Sequence, residues 1–478
     1  MGNDNMSNLN EKGKAAGKSA VWYTASSLIT KGLSFITIPI FTRIMTTGEF
    51  GLFNNFAAWQ VILAAVFSLE AYATLNRARL DIHGKELQNY QFTLLTSGMG
   101  LAFLLGILLI LCPAIPEMLT DLDRKYLYIM VLYLMLHPAF SMFQMLQRVQ
   151  YRYKLSASLT LISGLVATGC SVALVVWAPD ALMGRIVGQY IPYVLLGLAF
   201  YLWYWKSGGS FRLEYLKYAL PLCIPLIIAT LGSQVLILGC RIVTQHTCGS
   251  DQVAFLSLAT SLTQIALILI TAINNAWAPW MYDCLEENLA HKATGLFEKY
   301  LWGTVALCIV VSLLAPELVL ILGGEKYMDA LPVIPSFMVM CVFTMFTNQY
   351  ILLETYEKRA GFGGAATLVF GVLNLPLTWL FITLFGFNAV GYANIVSNLL
   401  LLATHVVVVR RLGITDIFLT KKAVVAIIVA LASMPVCLVC YQLLPALARY
   451  VIVALPIIVG PVLAWKYRAM ILKKLKKR

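Results

Sequence analysis

Long apolar segments separated by short polar connections run along nearly the whole chain. Fourteen such segments lie between charged residues or clusters of Gly, Pro and Asn. A helix needs about 20 predominantly apolar residues to cross a bilayer, so the pattern predicts an all-α integral membrane protein with about fourteen transmembrane helices. The predicted spans, numbered one to fourteen, are 20–44, 53–75, 92–115, 126–146, 157–177, 181–205, 219–243, 253–281, 301–322, 331–353, 366–386, 390–409, 423–444 and 450–465.

Composition and charge agree with this pattern. The chain is 60% hydrophobic and only 12% charged, with a mean hydropathy of +0.81, which is outside the range of soluble globular proteins. Twenty-seven of its 35 Lys and Arg residues fall on one side of the membrane if the N-terminus is cytoplasmic. Cytoplasmic loops carry such an excess, so both termini are predicted to be cytoplasmic. The net charge of +13 is therefore read as a topology signal and not as a nucleic-acid site.

The first helices of two halves share a feature. Span one carries Pro39 and then Arg43, and span seven carries Pro221, Pro225 and then Arg241. Proline-interrupted spans at corresponding positions point to a transporter binding site between two repeats. The predicted segments are a cytoplasmic tail (1–19), a six-helix bundle (20–205), a linker (206–218), a second six-helix bundle (219–409), two further spans (410–465) and a basic cytoplasmic tail (466–478).

Span one also carries a polar stripe. Thr24, Ser27, Lys31 and Ser34 recur at spacings of three and four, which places them on one helix face. A cation within a span costs several kcal/mol unless it faces protein or water. Lys31 is therefore predicted to face a cavity and bind an anionic group. The alternative is an ion pair with Glu70.

Three arginines lie near the outer ends of spans. Arg43, Arg185 and Arg241 belong to spans one, six and seven. Their guanidinium groups suit phosphate oxygens, so they are predicted to line a cationic lumen with Lys31. The alternative is that they extend to the interface like many arginines near helix ends.

Other polar residues within spans have two interpretations each. Glu70 and His137 are candidates for ion coupling, because either could carry a proton, but both could also be structural. Asn54 and Asn275 are candidate lumen residues along a sugar path, and they could equally hold helices together.

The sequence gives little support to an enzyme. Asp121 and Asp123 form a DxD in a short predicted outer connection, where they are read as surface charges. No Gly-rich phosphate loop and no hydrolase motif occurs. Eight of the ten Cys residues fall within spans, where Cys behaves as a small hydrophobe. We therefore predict no catalytic residue, no metal site and no cofactor.

Short stretches spread over the chain resemble one family. They are Lys31, Pro39, Thr42, Arg43, Glu49, Phe50, Gly51 and Phe53; Leu216 to Pro221; Asn275 to Pro279; Leu322 to Tyr327 with Ala330 and Pro332; and Glu357, Lys358, Asn374, Phe385, Gly386, Gly391 and Ala393. In order and spacing they resemble the Wzx-like O-antigen flippases, in the polysaccharide-transport branch of the multidrug/oligosaccharidyl-lipid/polysaccharide exporter superfamily.

The resemblance implies a function. It implies that two six-helix bundles move an undecaprenyl-diphosphate-linked oligosaccharide, the repeat unit of an O-antigen or a capsular polysaccharide or exopolysaccharide, from the inner to the outer leaflet of a bacterial cell membrane by alternating access. Its expected partners are this lipid-linked oligosaccharide, the lipid bilayer, and a polysaccharide polymerase or glycosyltransferases. Many relatives carry an acidic residue just before the arginine that ends span seven. This chain has Cys240 there, which does not fit ion coupling at that position.

Two other functions stay open. A multidrug or cation antiporter of the same superfamily is expected to favour acidic lumen residues, whereas the spans here hold four cations and few acids. A membrane glycosyltransferase or polymerase is disfavoured by the short predicted outer loops.

Overall fold

The structure, a computed structural model, is built from α-helices. It describes residues 32–33, 35–150, 152–287, 289–357, 360–411, 416–452 and 454, and these residues contain no β-strand. Two short 3₁₀ helices, Glu325–Ala330 and Phe387–Ala389, lie between longer helices. The predicted fold class, an all-α membrane protein, is confirmed.

The helices are labelled α1 to α16 in chain order. They are Phe35–Ile44, Thr47–Phe67, Ala71–Asp81, Gly84–Leu111, Ala114–Thr120, Arg124–Val149, Tyr153–Trp177, Ala181–Lys206, Leu213–Cys248, Ser250–Glu286, Ala290–Leu313, Ala315–Leu322, Ile334–Tyr356, Ala360–Phe385, Val390–Arg411 and Lys421–Leu443.

The membrane spans follow the apolar pattern closely. Within the described residues, twelve helices are long and apolar enough to cross a membrane. They correspond one by one to predicted spans two to thirteen, with α2 and α3 together forming span two. Only the end of predicted span one is described, as the short apolar helix α1. Predicted span fourteen lies almost wholly outside the described residues.

Several helices begin at polar caps that their sequences provide. Thr46 precedes α2 and forms a capping box with Glu49. The Asp180 side chain accepts a 2.9 Å hydrogen bond from the Met183 backbone N–H at the start of α8. The Thr420 hydroxyl accepts from the backbone N–H of Ala423 at the start of α16. These caps satisfy N–H groups that a helix leaves without partners in its first turn.

The chain divides into two compact units. Unit 1 comprises residues 1–257, 322–324 and 357–393, and unit 2 comprises residues 258–321, 325–356 and 394–478. The two predicted six-helix bundles, 20–205 and 219–409, stay a prediction.

Unit 1 has a core shared by α3, α4, α6, α8 and α9. Tyr90 and Tyr204 are fully buried in it, and the Tyr90 hydroxyl lies 2.7 Å from that of Thr74. Helices α9 and α14 approach closely through glycines. A Cβ on Gly232 would lie 2.6 Å from the backbone of Leu368, and one on Gly371 would lie 2.7 Å from the carbonyl oxygen of Gly232. Small residues allow this kind of contact between membrane helices.

Unit 2 is organised around α13. Of the twelve candidate spans in the described residues, α13 has the largest buried share, 78% of its most apolar window. The Phe297 ring of α11 contacts Phe346 of α13 and Phe418, which precedes α16. The hydroxyl of Tyr441 on α16 donates to the Ser312 carbonyl of α11. These contacts hold α11, α13 and α16 together.

Candidate functional site

A polar cavity of about 280 Å³ lies within unit 1. Its walls come from α2, the turn before α3, α3 itself, α6 and α9. Its polar lining side chains are Gln60, Ser68, Glu70, Tyr72, Tyr133, His137, Ser141, Gln144, Arg148, Thr230 and Gln234. A carboxylate, an imidazole and a guanidinium thus surround one space inside a set of apolar spans. Ionisable residues within spans often mark substrate or ion pathways.

Glu70 reaches this cavity because span two is broken. Helix α2 ends at Phe67 and α3 begins at Ala71, so Glu70 lies in the turn between them. Leu69 and Glu70 both have positive φ, at 55° and 46°. Non-Gly residues seldom adopt this conformation, and such strain is concentrated at functional sites. The Glu70 carboxylate accepts a hydrogen bond from the hydroxyl of Tyr72, two residues along the chain.

The turn is held in place by the neighbouring helix. A Cβ on Gly98 of α4 would lie 2.6 Å from the Phe67 carbonyl oxygen. The backbone of α4 therefore approaches the end of α2 more closely than any side chain would allow. The Ser68 hydroxyl also accepts a 3.2 Å hydrogen bond from the Glu70 backbone N–H.

His137 is held among aromatic rings. Its imidazole stacks on the Tyr133 ring with centroids 4.4 Å apart, and it meets Tyr193 edge-on at 5.7 Å. Pro138 follows it within α6 and has no N–H to donate to the Leu134 carbonyl. Both Leu134 and Pro138 line the cavity. The proline thus leaves a backbone acceptor beside the imidazole.

Arg148 also lines the cavity, although predicted span four ends before it, at residue 146. It lies in the last turn of α6, and its Nε donates to the Ser156 hydroxyl at 3.3 Å. His137, Ser141, Gln144 and Arg148 recur at spacings of four, three and four and all line the cavity. This is the same kind of helical polar stripe as the one recognised on span one. The spacing was available in the sequence and would have identified Arg148.

The structure brings together two of the predicted site residues and leaves others apart. Glu70 and His137, the ion-coupling candidates, line the same cavity. Arg43 is exposed at the end of α1 and Arg241 is half-buried on α9, and neither lines it. Lys31, Thr24, Ser27 and Ser34 lie outside the described residues, as does the side chain of Asn275. The half-buried Asn54 amide donates a 2.7 Å hydrogen bond to the Phe50 carbonyl of its own helix.

Arg185 is buried among aromatic side chains, with 8% of its surface exposed. Its guanidinium carbon lies 3.5 Å from the ring centre of Phe41 and 4.0 Å from that of Phe53. One guanidinium nitrogen lies 3.7 Å from the Met45 sulfur. A cation over aromatic faces is stabilised by the negative charge of the ring faces. Its role in substrate binding stays a prediction.

Asp121, read from the sequence as a surface charge, contacts α9. One oxygen of its exposed carboxylate accepts a 2.6 Å hydrogen bond from the Gln245 side chain. The next residue on α9, His246, contacts the Leu119 carbonyl at 3.0 Å. Within the part of the chain that the structure describes, no group of three or more His, Cys, Asp or Glu side chains is arranged to hold a metal ion.

Comparisons with known proteins agree with this architecture. A family model described as "Polysaccharide biosynthesis protein" matches residues 16–284. A search of curated proteins gave no match. Among solved structures, the chain is similar to lipid II flippase MurJ in an inward closed conformation, with a TM-score of 0.76, 13% identity, and coverage of 94% of this chain and 100% of that chain.

Two transporters are more distant. An inward-facing multidrug resistance MATE family transporter of the MOP superfamily has a TM-score of 0.56 and 15% identity, with 81% of this chain and 94% of that chain covered. A MOP superfamily transporter from Pyrococcus furiosus has a TM-score of 0.53 and 14% identity, with 83% and 97% covered. At these identities the likeness shows a shared fold. The prediction that the chain is not an enzyme agrees with these matches.

Proposed function

Since the chain belongs to the polysaccharide biosynthesis protein family, we propose that it is a flippase that moves an undecaprenyl-diphosphate-linked oligosaccharide from the inner to the outer leaflet by alternating access. The cargo is the repeat unit of an O-antigen or of a capsular polysaccharide or exopolysaccharide. The polar cavity of unit 1 carries this proposal. It places charged and hydrogen-bonding side chains among helices that otherwise fit hydrocarbon.

The chemistry of the lining suits a phosphorylated sugar headgroup. A diphosphate cannot enter hydrocarbon unless fixed donors replace its water, and the Arg148 guanidinium is such a donor. The amides of Gln60, Gln144 and Gln234 can both donate to and accept from sugar hydroxyls. At about 280 Å³ the cavity lies just below the roughly 300–1,000 Å³ typical of ligand pockets. It therefore holds part of a headgroup, and the lipid tail stays in the bilayer.

The position of the cavity lining along α6 supports transport from the inner to the outer leaflet. From His137 to Arg148 the stripe extends along α6 for about 16 Å at 1.5 Å per residue. It occupies the half of span four that the charge distribution assigns to the cytoplasmic side. Cargo made in the cytoplasm would therefore meet the cavity from the inner leaflet. A polymerase or glycosyltransferase beside the flippase would supply or use this cargo.

Complementation of a flippase-deficient strain tests the proposal. Export of surface polysaccharide is measured at matched expression for Arg148→Gln and His137→Gln, and for the span cations Lys31→Ala, Arg43→Ala and Arg241→Ala. Loss of a hydrogen bond to a charged group costs about 1.5–3 kcal/mol, which corresponds to about tenfold or more in binding. Arg152→Gln is the matched control, because this exposed arginine follows α6 without lining the cavity. Full export by every variant would show that no cationic lumen exists.

Glu70 supports a second candidate function. Its carboxylate lines the same cavity as the aromatic rings of Tyr72 and Tyr133. Both kinds of group attract cations, which favours a multidrug or cation antiporter as the second candidate. Drug susceptibility of cells expressing the chain distinguishes the two. Antiport predicts resistance that Glu70→Gln abolishes, whereas the flippase predicts no resistance in either strain.

Reporter fusions test the proposed membrane topology. A fusion after Trp177 should report the outer side, and one after Arg212 should report the cytoplasm. Reversed signals would overturn the orientation on which the inward access of the cavity depends.

A further inference from the structure

A buried acid and a histidine face each other in unit 2. Nδ1 of His405, on α15, lies 2.6 Å from Oε1 of Glu354, on α13, and both side chains are 0% exposed. The second oxygen of Glu354 is also buried and accepts no hydrogen bond from any described residue. Neither residue lines the cavity of unit 1.

Away from water, such a pair is most stable when the two side chains together hold one proton. With one proton between them, the carboxylate and the imidazole are neutral as a whole. Loss of that proton leaves a buried negative charge, and gain of another leaves a buried positive charge, and either is costly without water. Histidine exchanges protons near neutral pH. A proton can therefore join or leave this pair only where water or another polar group stabilises the charge that results.

Other polar groups lie near the pair at this end of unit 2. Tyr350 lies one turn before Glu354 on the same helix face, and its hydroxyl donates a 2.9 Å hydrogen bond to Asp416. Asp416 also lies 3.6 Å from Arg410, whose side chain is 59% exposed. Asp416, between α15 and α16, and Arg410, at the end of α15, belong to the predicted cytoplasmic side.

Two other titratable groups on the helices around α13 have partners of their own. Tyr282 of α10 donates to the Leu352 carbonyl, and Glu298 of α11 pairs with Lys422 of α16 at 2.9 Å. Among the described residues of unit 2, the titratable and charged side chains at this end include Tyr282, Glu298, Tyr350, Tyr356, Arg410, Asp416 and Lys422.

We propose that Glu354 and His405 form a proton-binding site that exchanges its proton through the Tyr350–Asp416 end of unit 2 and couples proton movement to transport. The inference rests on the proposed function, because it assigns the coupling ion of the flippase. A buried ion pair is weak grounds for a purely stabilising role, since an apolar pair of the same volume is often as stable. Ionisable groups in spans are found instead in proton relays.

The first test measures coupling. The full chain is reconstituted in vesicles of phosphatidylethanolamine and phosphatidylglycerol, with the membrane potential clamped to zero. Flipping of a fluorescent polyprenyl-diphosphate disaccharide is followed with and without a gradient of one pH unit. Such a gradient corresponds to about tenfold per proton moved. We expect a rate change of up to this size in the native chain and a ratio of about one in Glu354→Gln and His405→Gln.

Glu298→Gln is the matched control, since it removes a carboxylate from a less buried pair in the same unit. It should retain the dependence on the gradient. Flipping by the native chain that ignores the gradient, or gradient dependence that survives in both pair variants, would overturn the proton site while leaving the flippase intact. Absence of flipping by the native chain would instead count against the proposed function.

The second test needs no cargo. In full-length protein labelled with ¹⁵N-histidine, the His405 imidazole is identified by the signal missing from His405→Gln. A proton shared with Glu354 predicts that Glu354→Gln changes the charge state of this imidazole and its pH titration. An imidazole signal that is the same with and without the Glu354 carboxylate over the whole stable pH range would overturn the inference, whatever the flipping assay gives.

Discussion

The Arg185 guanidinium carbon lies 3.5 Å from the ring centre of Phe41. The first residue belongs to α8 and the second to α1, while Phe50 and Phe53 of α2 approach the same guanidinium at 5.2 and 4.0 Å. One buried cation therefore ties three helices of unit 1 together. This geometry stabilises a buried guanidinium near the end of a span.

Arg185→Ala is expected to destabilise the protein. A desolvated cation–π contact contributes about 2 kcal/mol, and loss of the arginine stem removes packing as well. Arg185→Lys should lose less, because it retains the charge but not the flat face of the guanidinium. Thermal unfolding of the detergent-solubilised protein measures this. Arg43→Ala is the control, since Arg43 is exposed at the end of α1. An unfolding temperature unchanged in Arg185→Ala together with lost export would favour direct substrate binding instead.

Substitutions at Glu70 can separate its charge from its backbone conformation. Glu70→Asn places a residue that tolerates positive φ at the turn, so the fold should survive without the carboxylate. Glu70→Val should destabilise the turn, because a β-branched residue rarely adopts φ near 46°. The measurements are protein yield, thermal unfolding and export. Loss of export by a stably folded Glu70→Asn would assign a role to the carboxylate. Equal stability of the two variants would contradict the argument from strain.

The sequence predicted the spans well because their signal is local. Apolar runs of the right length located α4, α6 and α7 without any knowledge of their neighbours. The contacts of the charged residues, in contrast, come from helices that are distant in the sequence. Glu354 and His405 meet on different spans, and no pattern within either helix indicates the contact. Arg185 was recognised as unusual, but three rings from two other helices determine its surroundings. His137 and Arg148 lie between these cases, since their spacing on one face was readable from the sequence.

Gly98→Ala is expected to impair folding although it adds a single methyl group. Its Cβ would lie 2.6 Å from the Phe67 carbonyl oxygen, which belongs to the backbone and cannot rotate away. Overpacking of this kind costs about 1–3 kcal/mol. Gly100→Ala, on the same helix, is the matched control, because nothing lies within 4 Å of its added Cβ. It should be neutral or slightly stabilising, as expected for Gly to Ala in a helix. Comparable unfolding temperatures for the two variants would show that α2 and α4 do not meet this closely.

Asp180 is expected to make stability depend on pH below its ordinary titration range. Partial burial alone would raise the pKa of this carboxyl, but hydrogen bonds from Lys125 and from the Met183 backbone N–H lower the pKa below its ordinary value of 3.8. A carboxyl with a lowered pKa contributes stability above its unfolded-state pKa, and the contribution is lost as the pH falls through the folded-state value. The side chain is 39% exposed, so the ion pair contributes about 0.2–1 kcal/mol.

Asp180→Asn retains a helix cap without the charge. It should unfold at a lower temperature than the native chain at pH 7, and the difference should vanish in acid. Asp123→Asn is the control, because Asp123 makes no side-chain cap hydrogen bond. A difference between native chain and Asp180→Asn that persisted at the lowest pH would show that the charge is not its source.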